Sequence, residues 1–242
     1  MTIYVIMGGS FSPPTMAHFE ALQAAVQQVS GMYPTQHIKG LFVPVSIQYN
    51  KESVKAVSEE DRIAMLEMGT KWLNAYRLSP DLEYAVSTHE MEAGRAVPTI
   101  ESLEILKAKD PSGIYFLALG QDNLESLLAG KWKRSKDLVN LVRILYFVRP
   151  DATKINSKTN VKNFPLEKIE FDAASISSTR LRKALQGAED PKYLTRPDII
   201  DYIREKKLYG VKGGGGKRGG GKRKTRRHRL ERRATTCKKA HK

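Results

Sequence analysis

Cysteine is nearly missing from this 242-residue chain: the single Cys237 excludes an intrachain disulfide, and no Cys/His cluster suggests zinc. No run of about eighteen apolar residues exists, so no membrane span is expected. The N-terminus has no basic region ahead of an apolar stretch, so no secretory signal is expected either. An intracellular, reducing compartment fits these absences. Two phosphate-binding fingerprints, G-x-G-x-x-G and G-x-x-x-x-G-K-[ST], are also absent, as is any internal repeat. Acidic residues run out at the C-terminus: in residues 211–242 Glu231 alone faces fourteen Lys/Arg, while the first 210 residues hold 27 Lys/Arg against 25 Asp/Glu. The net charge of +15 therefore belongs to a tail whose glycines and self-repelling charge exclude a packed core. The boundary falls near Gly210, giving a folded domain over 1–210 and a disordered Gly/Lys/Arg-rich tail over 211–242.

What is present begins with Ile3-Tyr-Val-Ile-Met-Gly-Gly-Ser-Phe-Ser-Pro-Pro-Thr-Met-Ala-His18. Residues 3–7 form a short, β-branched apolar run bounded by glycine, which predicts a buried strand. Gly8 and Gly9 permit a tight turn with uncovered N–H groups. Thr15 stands at an N-cap position ahead of the helical pattern Phe19, Leu22, Val26. A helix start aimed from a strand end favours phosphate, through its unpaired N–H groups and its dipole. His18 would place its ring in the same space. Most such turns merely connect elements; the whole string Gly-x-Phe-x-Pro-x-Thr-x-x-His raises this one above a connector.

Further along, strands alternate with helices. Strands are expected within 36–45, 82–86, 114–119 and 143–148. Ser58-Glu-Glu-Asp61 opens a helix with Ile63, Leu66 and Trp72 on its apolar face, and Pro98 opens another with Ile100, Leu103 and Leu106. This alternation predicts an α/β fold: a Rossmann-like, doubly wound, mostly parallel sheet with helices on both faces. Its ligand should lie at the carboxyl ends of the strands. That rule selects Tyr49 and Lys51 after the second strand, and Gly120 and Asp122 after the central one. A lone lysine is normally solvated, Asp122 could equally cap a helix over 123–128, and Trp132 could be either core or stacking platform. The second strong motif is Ile176-Ser-Ser-Thr-Arg-Leu-Arg182, in which Ser177, Ser178 and Thr179 open a helix and Arg182 could chelate phosphate oxygens. Alone it could be an ordinary cap with a solvated arginine.

The first motif resembles that of nucleotidyltransferases with an [H/T]-x-G-H signature, Thr15 and His18 occupying signature positions and Ala17 replacing the usual glycine. Over residues 3–209 the chain resembles the nicotinamide/nicotinate mononucleotide adenylyltransferase family. The resemblance rests on Gly9-Ser-Phe-Ser-Pro, Thr15-Met-Ala-His18, Pro44-Val-Ser-Ile-Gln-Tyr49-Asn-Lys51 and Asp61-Arg-Ile-Ala-Met. It continues in Pro98-Thr-Ile-Glu-Ser-Leu, Leu119-Gly-Gln-Asp122, Lys131-Trp132-Lys, the Ile176 motif and the ending from Tyr193 through Tyr209. The resemblance implies adenylyl transfer from ATP to nicotinamide or nicotinate mononucleotide. It implies ATP contacts at Gly9, Ser10, Phe11, Thr15, His18, Ser177, Ser178, Thr179 and Arg182, with His18, Lys51 and Arg182 acting in catalysis. It implies mononucleotide contacts at Ser10, Lys51, Thr99, Gly120, Asp122 and Trp132, and at His89, which stands where some members carry an aromatic residue. Magnesium would arrive on the ATP phosphates, with no protein metal site.

The alternatives are another nucleotidyltransferase of the superfamily, acting for example on phosphopantetheine, and a nucleic-acid-binding protein working through its tail. Residues 217–233 read as a patch for nucleic acid or a nuclear import factor, which places the protein in the nucleus, with the cytoplasm as the alternative. A solubilising extension is the plain reading of the same charges. A homo-oligomer is also compatible with the sequence.

Overall fold

The structure, a computed structural model, describes residues 1–49, 51–138, 140–147, 166–169, 171 and 176–211. The tail expectations therefore lie outside the described residues, as does Val148, expected as the end of the fifth strand. Six strands form one sheet: β1 (Thr2–Gly9), β2 (His37–Pro44), β3 (Leu82–Val86), β4 (Ile114–Gly120), β5 (Arg143–Phe147) and β6 (Leu166–Ile169). Their order is β3-β2-β1-β4-β5-β6 and every pairing is parallel. The sixth strand was not expected: Leu-Glu-Lys-Ile is too short and too polar to announce itself, and it forms as the strand beyond β5.

Alternation along each strand divides the core in two. Ile3, Val5, Met7, Ile38, Phe42, Phe116 and Ala118 face one layer, while Ile6, Leu41, Val43, Leu117 and Leu119 face the other. The first layer packs under α1 (Met16–Met32) and α3 (Glu59–Ala75), with α8 (Ser178–Leu185) and α9 (Pro197–Glu205). The second packs under α5 (Thr99–Lys109) and α6 (Gln121–Leu128), with the short α7 (Ser135–Leu138). One-turn helices α2 (Glu52–Lys55) and α4 (His89–Glu92) follow β2 and β3. Because the chain winds outward from β1 in both directions, the strand order reverses between β1 and β4, and the carboxyl ends of these two strands are where such a sheet takes its ligand.

Two expectations need correction. The buried face of α3 is Arg62, Met65, Leu66, Gly69, Thr70 and Leu73; Ile63 and Trp72 sit at its margins, half-buried. Helix α6 begins at Gln121 with Gly120 as its cap, so Asp122 lies in the first turn and is not the N-cap.

Candidate active site

The loop over residues 9–15 is held from behind. Phe11 has a φ of 44° and buries its ring edge-on against His18 and Phe42, each 5.2 Å away. A Cβ on Gly9 would stand 3.0 Å from that ring, so glycine lets the Phe11 ring lie directly over the chain. Then the carbonyls are taken one by one. Val45 N–H donates to Gly9 O (3.0 Å), Arg62 Nη1 to Ser10 O (3.1 Å), and Arg182 Nη1 to Ser12 O (2.6 Å). Ser178 Oγ donates to Pro13 O (2.8 Å) and Thr195 Oγ1 to Pro14 O (2.9 Å). In a planar trans peptide the N–H points opposite to the C=O. Fixing the Gly9 and Ser10 carbonyls therefore turns the Ser10 and Phe11 N–H groups toward the other side, as an anion cradle needs.

His18 stands in the first turn of α1. Thr15 N–H donates to its Nδ1 (3.0 Å), and Thr15 Oγ1 lies 2.8 Å from the same atom. Since Nδ1 accepts, the imidazole proton resides on Nε2. Burial pushes the ring's pKa down to about 4, so at neutral pH His18 is an uncharged Nε2–H donor and not a cation.

The two sequence motifs, 165 residues apart, meet here. Ser177 caps α8 by accepting from Arg180 N–H (3.2 Å), and Thr179 Oγ1 accepts from Arg182 Nη2 (3.1 Å). The Ser178 hydroxyl is spent on the loop, and Arg182 divides its fork between the loop, Thr179 and the open side. Behind the loop, the Tyr209 hydroxyl lies 3.2 Å from Ser12 Oγ, and Met16 N–H donates to Leu194 O (3.0 Å). The family-like ending is thus the rear support of the first motif.

Lys51 caps α2 and is exposed, as is Tyr49. Gly120 ends β4 beside the switch point, and a Cβ there would meet nothing within 4 Å. Asp122 is exposed on the first turn of α6, and Thr99 opens α5, half-buried. His89 is turned inward: Ser87 Oγ lies 2.9 Å from Nδ1, Ser102 Oγ lies 2.7 Å from Nε2, and the residue is 5% exposed. It braces α4 against α5. Its neighbour Glu90 is also buried, which pushes its carboxyl up to about 7. Trp132 is half-buried over the second core layer, its Nε1 donating to Ser126 Oγ (3.2 Å). Among the described residues no three His, Cys, Asp or Glu side chains converge on a metal position.

Sequence reasoning missed the supports: Arg62, Thr195, Tyr209 and the inward role of Ser178. Arg62 left a signal, since a helical stripe through Leu66, Gly69 and Leu73 passes through it and so buries a charge.

The chain matches the family model described as cytidylyltransferase-like over residues 6–184. Similar curated proteins carry the name probable nicotinate-nucleotide adenylyltransferase. That of Enterococcus faecalis is 28% identical over 204 residues, covering 84% of this chain and 83% of the relative. That of Halalkalibacterium halodurans is 28% identical over 208 residues, covering 84% and 89%. Among solved structures, the Plasmodium falciparum nicotinic acid mononucleotide adenylyltransferase complexed with NaAD superposes with a TM-score of 0.65. That pair shares 24% identity over 88% of this chain and 99% of the other, a likeness of fold.

Proposed function

The chain belongs to the cytidylyltransferase-like family, and from that premise we propose that it transfers the adenylyl group of ATP to nicotinate or nicotinamide mononucleotide, releasing pyrophosphate. The observation that carries this reading is the meeting of the starts of α1 and α8 beside the β1/β4 switch point, with the carbonyls of the loop between them held by donors. A polyphosphate fits two such starts; a single phosphate needs only one.

No catalytic base is required. A phosphate monoester is largely ionised at neutral pH, its second pKa being about 6. It attacks the α-phosphorus in line and expels pyrophosphate, so the barrier lies in joining two polyanions and stabilising the charge that develops. The neutral His18 donates from Nε2 without gaining or losing a proton. The N–H groups of Ser10 and Phe11 and the start of α8 receive phosphate oxygens. Arg182 and the exposed Lys51 supply positive charge, and Gly120 leaves the backbone open to the nucleoside. Magnesium would be held by ATP oxygens and water. Residues 217–233 we assign to nucleic acid or an import factor, with nuclear enrichment as the consequence.

Pyrophosphate release from ATP, measured with nicotinate mononucleotide, nicotinamide mononucleotide and phosphopantetheine in parallel, tests the reading. Turnover with a pyridine mononucleotide is expected. Turnover with phosphopantetheine alone would replace it with the sister activity.

A further inference from the structure

The largest fully buried side chain is a charged one. Arg62, on the first turns of α3, is 0% exposed. One of its nitrogens, Nη1, donates both to Ser10 O (3.1 Å) and to Val45 O (2.8 Å). Ser10 belongs to the loop after β1, and Val45 opens the loop after β2 that ends at Lys51. Glu59, one turn earlier on α3, accepts from the Ile47 N–H in that second loop and lies 3.9 Å from Arg62 Nη2. The start of α3 therefore grips both loops, while Val45 N–H to Gly9 O (3.0 Å) joins them directly.

Stability is a poor explanation for this arrangement. Desolvation penalises the guanidinium, and its Nε and Nη2 find no hydrogen-bond partner among the described residues. A buried charge left partly unpaired is costly, and an apolar residue of similar volume is often neutral or better. What the guanidinium supplies is a fixed distance between the loop after β1 and the loop after β2.

We infer that Arg62, seconded by Glu59, is a positioning residue that sets the register between the two phosphate-gripping loops. It touches neither substrate. Each loop binds its own phosphate with or without the clamp, but in-line attack needs both phosphates at once in one alignment. Loss of the clamp therefore lowers kcat far more than it raises either KM. A misplacement of about 1 Å can cost roughly 10²-fold in rate. This inference rests on the proposed adenylyl transfer for its kinetic readout only.

The test uses Arg62→Met, Arg62→Lys, Glu59→Ala and Glu59→Gln in the full chain. Arg62→Met should lower kcat by about 10²-fold with both KM values within about threefold. Arg62→Lys, which keeps a donor but not the planar fork, should fall between. Glu59→Ala should lower kcat several-fold, and Glu59→Gln, which still accepts from Ile47, should restore it. Hydrogen exchange should quicken in residues 9–12 and 45–51 together and leave the rest of the sheet unchanged. A folded Arg62→Met or Arg62→Lys enzyme with kcat within threefold of wild type would overturn the inference. So would a rise in KM alone, or unchanged exchange in both loops. If neither Arg62 variant folds, Glu59→Ala decides by the same criteria. Wild-type protein without turnover on any mononucleotide would sink the proposed function instead, leaving hydrogen exchange to decide the clamp.

Discussion

The centre of the sheet's carboxyl edge and its margin beyond β3 are built on different physics. At the loop after β1, five consecutive or near-consecutive carbonyls are held by donors from the loop after β2, from α3, from α8 and from the segment before α9. At the margin, around α4 and α5, the polar side chains bond to one another: His89 lies between Ser87 and Ser102, and Glu90 is buried beside them. Backbone donors must stand still to bind an anion, because a mobile dipole loses orientation as the charge arrives. A hydrogen-bonded layer below the surface serves only to hold two helices in place. Polar side chains around the loop after β1 thus fix backbone carbonyls, while those at the margin bond to one another.

The sharpest way to break this contrast is His18→Ala. The Thr15 N–H bond to Nδ1 keeps the ring proton on Nε2, and loss of that donor in the proposed reaction should cost about 10²- to 10³-fold in kcat. A folded variant within a few-fold of wild type would remove His18 from the site. His89→Ala is the control: its effect should fall on melting temperature and not on turnover.

Arg182→Lys should raise the KM for ATP by about tenfold, because a lysine cannot hold Ser12 O, Thr179 and a phosphate oxygen at once. Titrating each substrate in turn checks this. A selective loss of mononucleotide binding would reverse the assignment of the two phosphate positions.

Thr195→Val leaves the Pro14 carbonyl without its donor in a buried position, at a cost of about 1–3 kcal/mol in unfolding free energy. Denaturant titration measures it, and a loss of turnover larger than the loss of folded protein would show that the rear support also tunes the cradle.

Glu90→Gln probes the margin. Burial raises the folded carboxyl to about 7 from an ordinary 4.5, so the folded state binds the extra proton. Wild-type stability should then be greatest below about pH 4.5 as far as this group is concerned, and should decline as pH rises through 7. Glutamine removes that cost and should raise the melting temperature by several degrees at pH 8, with little change at pH 4.5. Thermal melts at the two pH values decide. An equal shift at both would mean that titration is not the cause. The smallest effect expected is from deleting residues 211–242, which should leave turnover within twofold while abolishing salt-dependent nucleic-acid binding.

Much of this was open to reading in the chain. The apolar strands, the caps at Thr15, Ser58 and Ser177, and the alternation of strand and helix depend on neighbours within a few residues, where side-chain pattern and backbone preference act directly. The strings ending in Thr15-Met-Ala-His18 and Ser177-Ser-Thr-Arg-Leu-Arg182 were as legible, each a local string at a helix start. Their meeting could not be read locally, since Ser178 reaches Pro13 across 165 residues and Thr195 reaches Pro14 across 181. The inward turn of His89 was equally hidden, because a histidine after a strand looks the same whether serines or solvent receive it.

The sequence by itself determined five of the six strands, the helices α1, α3, α5 and α8 and the doubly wound alternation. Tertiary structure alone decided which way each polar group faces. It turned Ser178 and His89 inward, left Lys51 outside, and buried the Arg62 guanidinium between two loops. The physical reason is that a hydrogen bond is satisfied by whichever donor or acceptor the packed layers bring within about 3 Å, and that partner is set by the topology of the sheet rather than by proximity along the chain.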